Sequence, residues 1–162
     1  MEEITLKSWN DDWQDKFGKE KTLLKNALGS TVFDIHHIGS TSVHDLLTKP
    51  IIDMSIEAFD FPPSESTIEK LFSLGYMNKG ESGVKGRYWF TKGKPRLFNL
   101  HYCCISSEIV KKQTILRDKL RTSESLRREY EAIKLANAKG RDIDSHEYAS
   151  AKTGFIDKVI EG

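Results

Sequence analysis

The sequence predicts one α/β domain of the α+β kind, in which a mixed sheet of four or five strands is flanked by helices. Two observations carry this prediction. Up to residue 105, short runs of β-branched residues alternate with segments whose apolar residues recur at helical spacing. From Ser107 onward the apolar spacing is helical only. A chain of 162 residues fits a single domain, residues 1–162, with a helical final third.

Apolar residues recur at helical spacing in five longer segments. The first helix is predicted over residues 10–28, where Gly29 ends it, and the second over residues 64–74. A third helix runs from Ser107 to about Arg121, and two more follow it with apolar stripes of their own. These last three helices make up the C-terminal third.

Four apolar, β-branched runs predict strands. They cover residues 32–38, residues 51–56, and the two arms of a hairpin at residues 87–91 and 97–105. One turn of helix is predicted over residues 43–47, between the first two strands. The alternation of helices and strands therefore favours a layered sheet rather than a helical bundle.

The composition is that of an ordinary soluble protein, with 38% hydrophobic and 30% charged residues. A net charge of +1 gives no general attraction to nucleic acid or to membranes, so neither partner is expected. No apolar run approaches the roughly 20 residues that a membrane span needs. The acidic N-terminus does not resemble a secretory signal and the two cysteines are adjacent, so a cytoplasmic location is predicted. The oligomeric state stays open.

The stretch between the first two strands carries the candidate chemistry. Its small polar loop, Gly39 to Ser42, predicts a phosphate cradle, because backbone N–H groups that enter a helix N-terminus attract anions. Asp53 lies on the polar face of the second strand, where a carboxylate can hold a Mg²⁺ that bridges the same phosphate. Such a loop is also typical of an ordinary helix cap, and Asp53 of a structural salt bridge with Lys49 or an arginine.

Several segments carry a resemblance to a known family. The run HIGSTSV at residues 37–43, followed by TKPIID at residues 48–53, resembles the signature of the GrpB (UPF0157) family, which is close to HIGSTAVPGLAAKPIID. Further along, LRDKLR at residues 116–121 resembles the family's FRDYLR, and Tyr130 with Lys134 fits its later pattern. The resemblance covers nearly the whole chain. It implies the fold of the nucleotidyltransferase superfamily, in which a Gly-Ser loop holds a triphosphate and strand carboxylates hold two metal ions.

The resemblance implies roles for individual residues. Gly39 and Ser40 match the phosphate-loop pair, and Thr41 and Ser42 complete the phosphate-binding loop. Asp53 matches the first metal carboxylate, so it is the implied catalytic residue and the implied ligand of Mg²⁺.

The sequence departs from the active pattern at the remaining metal positions. Ser55 stands where a second carboxylate is usual, and the nearest counterparts of a third, on the neighbouring strand, are Asn99 and His101. Glu57 shares the face of Asp53 but lies about 13 Å further along the strand, at roughly 3.3 Å per residue. The carboxylate set is therefore incomplete.

Two further residues are candidates for the same cleft. His101 is predicted to be a substrate contact or a general acid/base, and to line one cleft with Ser40 and Asp53. Lys49 is predicted to offset phosphate charge, the alternative being an ordinary solvated lysine.

Arginines and aromatic residues complete the set of predictions. Arg87 and Arg117 are predicted anion clamps, because a guanidinium fork suits phosphate, with ion pairs to nearby acids as the alternative. His37 is predicted to be a buried histidine that orients the following loop. Trp89 is predicted to belong to the core rather than to stack on a base.

Three functions are consistent with these features. The leading hypothesis is a protein of nucleotidyltransferase fold that binds a nucleotide or phosphorylated metabolite, with Mg²⁺-dependent nucleotidyl transfer in an active form. The second is a catalytically degenerate accessory module, like the family members that are fused to a dephospho-CoA kinase. The third is a protein-interaction domain whose polar cleft binds no anion. Whether the chain is an enzyme is left open.

Overall fold

The structure, a computed structural model, describes residues 7–138 and 145–161. Within these ranges the sheet has five strands: β1 (Val32–Ile38), β2 (Ile52–Ala58), β3 (Met77–Asn78), β4 (Arg87–Lys92) and β5 (Phe98–Cys104). Their order across the sheet is β1-β2-β5-β4-β3. The central pair β2–β5 is parallel and the other three pairs are antiparallel, so the sheet is mixed as predicted.

Helices occupy the rest of the predicted pattern. They are α1 (Asp12–Leu28), α2 (Glu65–Ser73), α3 (Glu108–Thr122), α4 (Glu124–Ala138) and α5 (Ser145–Glu161). The predicted helices and strands are confirmed to within a few residues at their ends. No helix in these described ranges has both the length and the apolar character that a membrane crossing needs.

The predicted turn of helix over residues 43–47 is wrong, because the backbone there bonds to distant parts of the chain. Leu47 N donates to Glu131 Oε1 on α4 at 3.0 Å. Thr48 and Lys7 exchange two backbone hydrogen bonds, of 2.8 and 2.9 Å. A short 3₁₀ turn forms earlier instead, at Ser40–Ser42.

The two faces of the sheet differ in chemistry because side chains alternate along each strand. On one face Ile52, Met54 and Ile56 of β2 are fully buried in the main core, together with residues of α1 and α2. The opposite face, called the polar face below, carries Asp53 and Ser55. The functional candidates therefore lie on the side away from the main core.

The C-terminal helices form a second, smaller core with the loop that follows β1. Val43 and Leu46 of that loop are buried against Leu120 of α3, Tyr130 of α4 and Phe155 of α5. This packing brings α3, α4 and α5 to the polar side of the sheet.

A buried ion pair joins α1 to the main sheet. Lys92 Nζ on β4 donates to Glu20 Oε1 on α1 at 2.7 Å, and Tyr76 Oη donates to the same oxygen at 2.8 Å. The Lys92 ammonium also lies 5.3 Å from the Tyr76 ring centroid. Since Glu20 is nearly inaccessible to solvent, its charge depends on these two partners.

Truncation of this carboxylate should destabilise the fold strongly. Glu20→Ala leaves the Lys92 ammonium half-buried without its partner, so we expect a loss of about 3 kcal/mol in the free energy of unfolding. Urea unfolding measures this loss, with the exposed Lys19→Ala on the same helix as a control that changes little. The double variant Glu20→Leu/Lys92→Met should recover most of the loss; a double variant as unstable as Glu20→Ala would contradict this account.

Candidate functional site

The loop after β1 begins against the carboxylate of Asp53. Ile38, the last residue of β1, pairs with Asp53 across the antiparallel ladder, so Gly39 lies directly beside it. A Cβ atom at Gly39 would lie 2.5 Å from Asp53 Oδ2, closer than any real contact. The backbone of Gly39 has φ 70° and ψ −174°, a conformation essentially restricted to glycine. The approach of loop to carboxylate therefore requires glycine here.

The loop uses part of its own hydrogen-bonding capacity. Ser42 N donates to Gly39 O and Val43 N donates to Ser40 O, both at 3.1 Å. The Ser42 hydroxyl also donates to Gly39 O, and Thr41 Oγ1 is hydrogen-bonded to His37 Nε2 at 2.9 Å. Both side chains predicted to complete the phosphate-binding loop, Thr41 and Ser42, are thus used inside the protein. The predicted contacts of Gly39 and Ser40 with a phosphate stay predictions.

His37 and two arginines of α3 hold this loop in place. Arg117 Nη1 donates to His37 O at 3.2 Å, and Arg121 Nε donates to Ser42 O at 2.8 Å. Burial, with the nearby arginine charges, lowers the pKa of His37 to about 4, so its ring is neutral. His37 is buried and bonded to the loop, as predicted. Arg117 also donates to Asp118, the ion pair given as its alternative, and its role as a phosphate clamp stays a prediction.

Asp53 is held from the neighbouring strand. The parallel register places Asn99 beside Asp53, and Asn99 Nδ2 donates to Asp53 Oδ1 at 3.1 Å. Trp89 Nε1 of β4 donates in turn to Asn99 Oδ1 at 3.2 Å. The prediction that Trp89 belongs to the core is wrong, because alternation along β4 buries Phe90 instead and turns Trp89 to the polar face.

His101 lies two residues after Asn99 on the same face of β5, and it contacts Arg87 of β4. Burial lowers the pKa of His101 to about 4; the Asp53 charge opposes this change, while Arg87 and Lys152 add to it. Arg87 Nη1 is 3.4 Å from His101 Nδ1, and because arginine can only donate, Nδ1 is the acceptor. The neutral ring then carries its proton on Nε2, which suits a hydrogen-bond donor to a ligand better than a general base.

Lys134 of α4 is the site residue that the sequence did not single out. Its ammonium donates to Ser40 Oγ and to Leu47 O, the latter at 2.9 Å, and lies 4.5 Å from the Tyr130 ring centroid. Only 2% of Lys134 is exposed. Two signals were available: its match, with Tyr130, to the family pattern, and its position four residues after that tyrosine on the apolar stripe of the helix.

Lysine charges surround this buried ammonium. Burial, with the charges of Lys152 and Lys49, lowers the pKa of Lys134 to about 6, and the carboxylates of Asp53 and Glu131 partly offset the effect. Lys152 Nζ of α5 lies 5.9 Å from the same tyrosine ring. Asp53 and Lys152 act electrostatically on both Lys134 and His101, and Lys49 acts on Lys134, which bonds to Ser40.

The donor set does not fit a two-metal centre. Ser55 Oγ, at the position of a second carboxylate, donates to Gln113 Oε1 of α3. Glu57 bonds instead to His36 Nε2 and to Ser106 N, at 2.6 and 3.0 Å. In the described part of the chain, no three His, Cys, Asp or Glu side chains cluster as metal ligands. The residues around Asp53 therefore lack the set of carboxylates that two divalent cations need.

The sheet, the Gly-Ser loop and the strand aspartate define a nucleotidyltransferase fold. The Cid1 poly(U) polymerase with Mg and 3′-dATP bound superposes with a TM-score of 0.53 and 16% identity, over 80% of this chain and 42% of Cid1. A cytoplasmic RNA terminal U-transferase gives a TM-score of 0.51 and 13% identity, over 79% of this chain and 38% of that one. At this identity the likeness shows the fold alone.

The chain belongs to the GrpB family, whose model, described as GrpB protein, matches residues 3–162. It is 33% identical over 154 residues to the UPF0157 protein YqkA of Bacillus subtilis (strain 168), covering 94% of this chain and 45% of YqkA. The chain thus spans under half the length of YqkA. The crystal structure of GrpB from Enterococcus faecalis superposes with a TM-score of 0.86 and 24% identity, over 97% of this chain and 98% of that one.

Substitution of the loop glycine should disrupt the site and the fold together. Gly39→Ala places a Cβ against Asp53 and strains the backbone, so we expect a loss of about 3 kcal/mol in the free energy of unfolding. The matched control is Gly18→Ala in α1, where no atom lies within 4 Å of the new Cβ. That control should gain about 0.5–1 kcal/mol by helix propensity. Thermal unfolding in which both alanines are tolerated equally would show that the contact at Gly39 is unimportant.

Proposed function

We propose that this protein binds a nucleotide or another phosphorylated metabolite on the polar face, with the phosphates between Lys134 and the loop of Gly39 and Ser40. The observation that carries the proposal is the buried Lys134 ammonium, which bonds Ser40 Oγ and has two other lysine charges near it. Burial of an ammonium near other lysine charges is unfavourable, because desolvation and repulsion both oppose its charge. A cluster of this kind is therefore explained by an anionic ligand.

Electrostatics support an anion rather than a cation as the ligand. Lys49 and Lys152 repel the charge of Lys134, which the carboxylates of Asp53 and Glu131 attract. The mutual repulsion of the lysines is strong where water is excluded, and a phosphate placed among them removes it. Lys134 then regains the proton that burial had displaced, which adds a charge-assisted hydrogen bond to the complex.

Neighbouring donors suit the remainder of such a ligand. His101 is neutral with a proton on Nε2, and Arg87 Nε is buried without a partner among the described residues. Unpaired buried donors are costly, and a polar ligand group is a natural partner for them. A nucleotide bound to Cid1, a protein of this fold, supports a nucleotide as one class of ligand.

Loss of the buried lysine should abolish phosphate binding. We expect Lys134→Met to weaken binding of tripolyphosphate and of ATP by at least about tenfold, because the charged hydrogen bond to the ligand is removed. Isothermal titration calorimetry measures both probes, with the exposed Lys112→Met on α3 as the matched control. Tripolyphosphate isolates the phosphate contribution, and ATP adds that of the base and sugar.

The affinity for phosphate should also depend on pH, in a direction that follows from the pKa of Lys134. With its pKa near 6 in the free protein, Lys134 must take up a proton when a phosphate binds, so affinity falls as the pH rises from about 6 to about 8. Lys134→Met should lack this dependence of affinity on pH. Because the phosphate probe ionises in the same way with both proteins, subtracting one curve of affinity against pH from the other removes that contribution. Equal affinities and equal curves would refute the site. Failure of every phosphate probe would favour the protein-interaction domain.

Mg²⁺-dependent nucleotidyl transfer is the second candidate function. The position of Asp53, on β2 and against the Gly39 loop, favours it, because a strand carboxylate beside a phosphate loop suits metal-assisted chemistry. Asp53 would hold Mg²⁺, which stabilises charge on a transferred phosphate group. With one protein carboxylate, the metal would depend on ligand phosphates for its other ligands.

Binding with and without Mg²⁺ separates the enzyme from the accessory module. We expect ATP affinity to change less than about threefold with Mg²⁺, and to survive Asp53→Ala, because lysines supply the positive charge. Calorimetry gives the affinities, and a pyrophosphate assay with each of the four nucleoside triphosphates detects transfer. Strict Mg²⁺ dependence that disappears in Asp53→Ala, together with released pyrophosphate, would establish the enzyme instead.

A further inference from the structure

Trp89 and Asn99 are the reason that the residues beside Asp53 do not suit a metal ion. Asp53 and Asn99 are register neighbours on parallel strands, with their side chains on the same face and 3.1 Å apart. Two oxygen donors placed in this way are the minimal start of a divalent-cation site. In this chain the second position offers an N–H group to Asp53 in place of an oxygen.

Trp89 determines which way the Asn99 amide points. An indole nitrogen can only donate, so the oxygen of Asn99 must face Trp89 and its nitrogen must face Asp53. Arg96 fixes the indole further, since its guanidinium carbon lies 5.1 Å from the ring centroid. Rotation of the amide toward a metal would leave the Trp89 donor facing the Asn99 nitrogen, with its hydrogen bond lost.

We propose that Trp89 and Asn99 replace the metal contact of Asp53 by a hydrogen bond, and that the lysine cluster takes over the charge of a divalent cation. The second half rests on the proposed function; the first half does not. Asn99 and Trp89 are positioning residues, because they act on a ligand only through Asp53. The class of ligand follows: a phosphate compound bound as the free anion rather than as its magnesium complex.

One substitution should convert the site. Asn99→Asp keeps an oxygen for Trp89 to donate to and places a second carboxylate oxygen beside Asp53. We expect the variant to bind Mn²⁺ at least about tenfold more tightly than the wild-type protein does. The Mn²⁺ signal in electron paramagnetic resonance measures free ion directly, without any phosphate ligand. Thermal unfolding should show the same gain, as a midpoint that rises with Mn²⁺ in Asn99→Asp alone.

Two companion variants test the mechanism. Asn99→Leu removes the hydrogen bond without adding charge, and it should bind Mn²⁺ no better than the wild-type protein. Trp89→Phe frees the amide to turn its oxygen toward the metal, and it should improve Mn²⁺ affinity by a few-fold, about threefold. A structural role for Trp89 alone would alter stability without this gain.

The role of Trp89 and Asn99 and the proposed phosphate binding can be refuted separately by these measurements. Wild-type protein that binds Mn²⁺ as tightly as Asn99→Asp would overturn the inference, and so would a folded Asn99→Asp with no gain. Tripolyphosphate binding by the wild-type protein in EDTA tests the second half. If tripolyphosphate fails to bind while Asn99→Asp gains Mn²⁺, the proposed function and the second half fall, and the role of Asn99 and Trp89 stands.

Discussion

The segment between β1 and β2 has little regular structure, and its position depends on cationic side chains from the C-terminal helices. Arg117 and Arg121 of α3 and Lys134 of α4 donate to the carbonyls of residues 37, 42 and 47. Hydrogen bonds to charged groups contribute about 1.5–3 kcal/mol each, enough to fix a loop that lacks a helix of its own. Without these helices the loop of Gly39 to Ser42 and Asp53 would not keep their mutual geometry.

One of these cationic side chains, Lys134, takes part both in the fold and in the candidate site. Lys134 stabilises the loop through Leu47 O and presents the same ammonium at Ser40, where a ligand would bind. A residue with both tasks must stay buried, and burial in turn lowers its pKa to about 6. Under the proposed function, ligand binding and loop stability would be coupled, because an anion at Ser40 would restore the charge that strengthens the bond to the loop.

The sequence was sufficient for local features and insufficient for contacts between distant segments. Strand alternation predicted that Asp53, Asn99 and His101 share one face, because that periodicity is local. Lys134 was matched to the family pattern but was not assigned to the site, because it contacts Ser40 at a separation of 94 positions and no local pattern encodes such a contact. The helix over residues 43–47 failed for the same reason: the backbone groups of Leu47 bond to Glu131 and Lys134. Tertiary hydrogen bonds overrode local preference in both cases.

A fold of this kind can neutralise a polyphosphate with bound divalent cations or with its own side chains, and the two solutions place opposite demands on the strand positions. Metal ions require carboxylate oxygens that face one another, whose repulsion the ion relieves. Lysines require those carboxylates to be absent or occupied, since free carboxylates would compete with the phosphate for the ammonium groups. Asn99 meets the requirement of the lysines because its side chain is an uncharged amide. Ser55 meets it with an uncharged hydroxyl that bonds to Gln113. The two positions where further metal carboxylates were expected, 55 and 99, thus carry uncharged side chains that form hydrogen bonds within the protein.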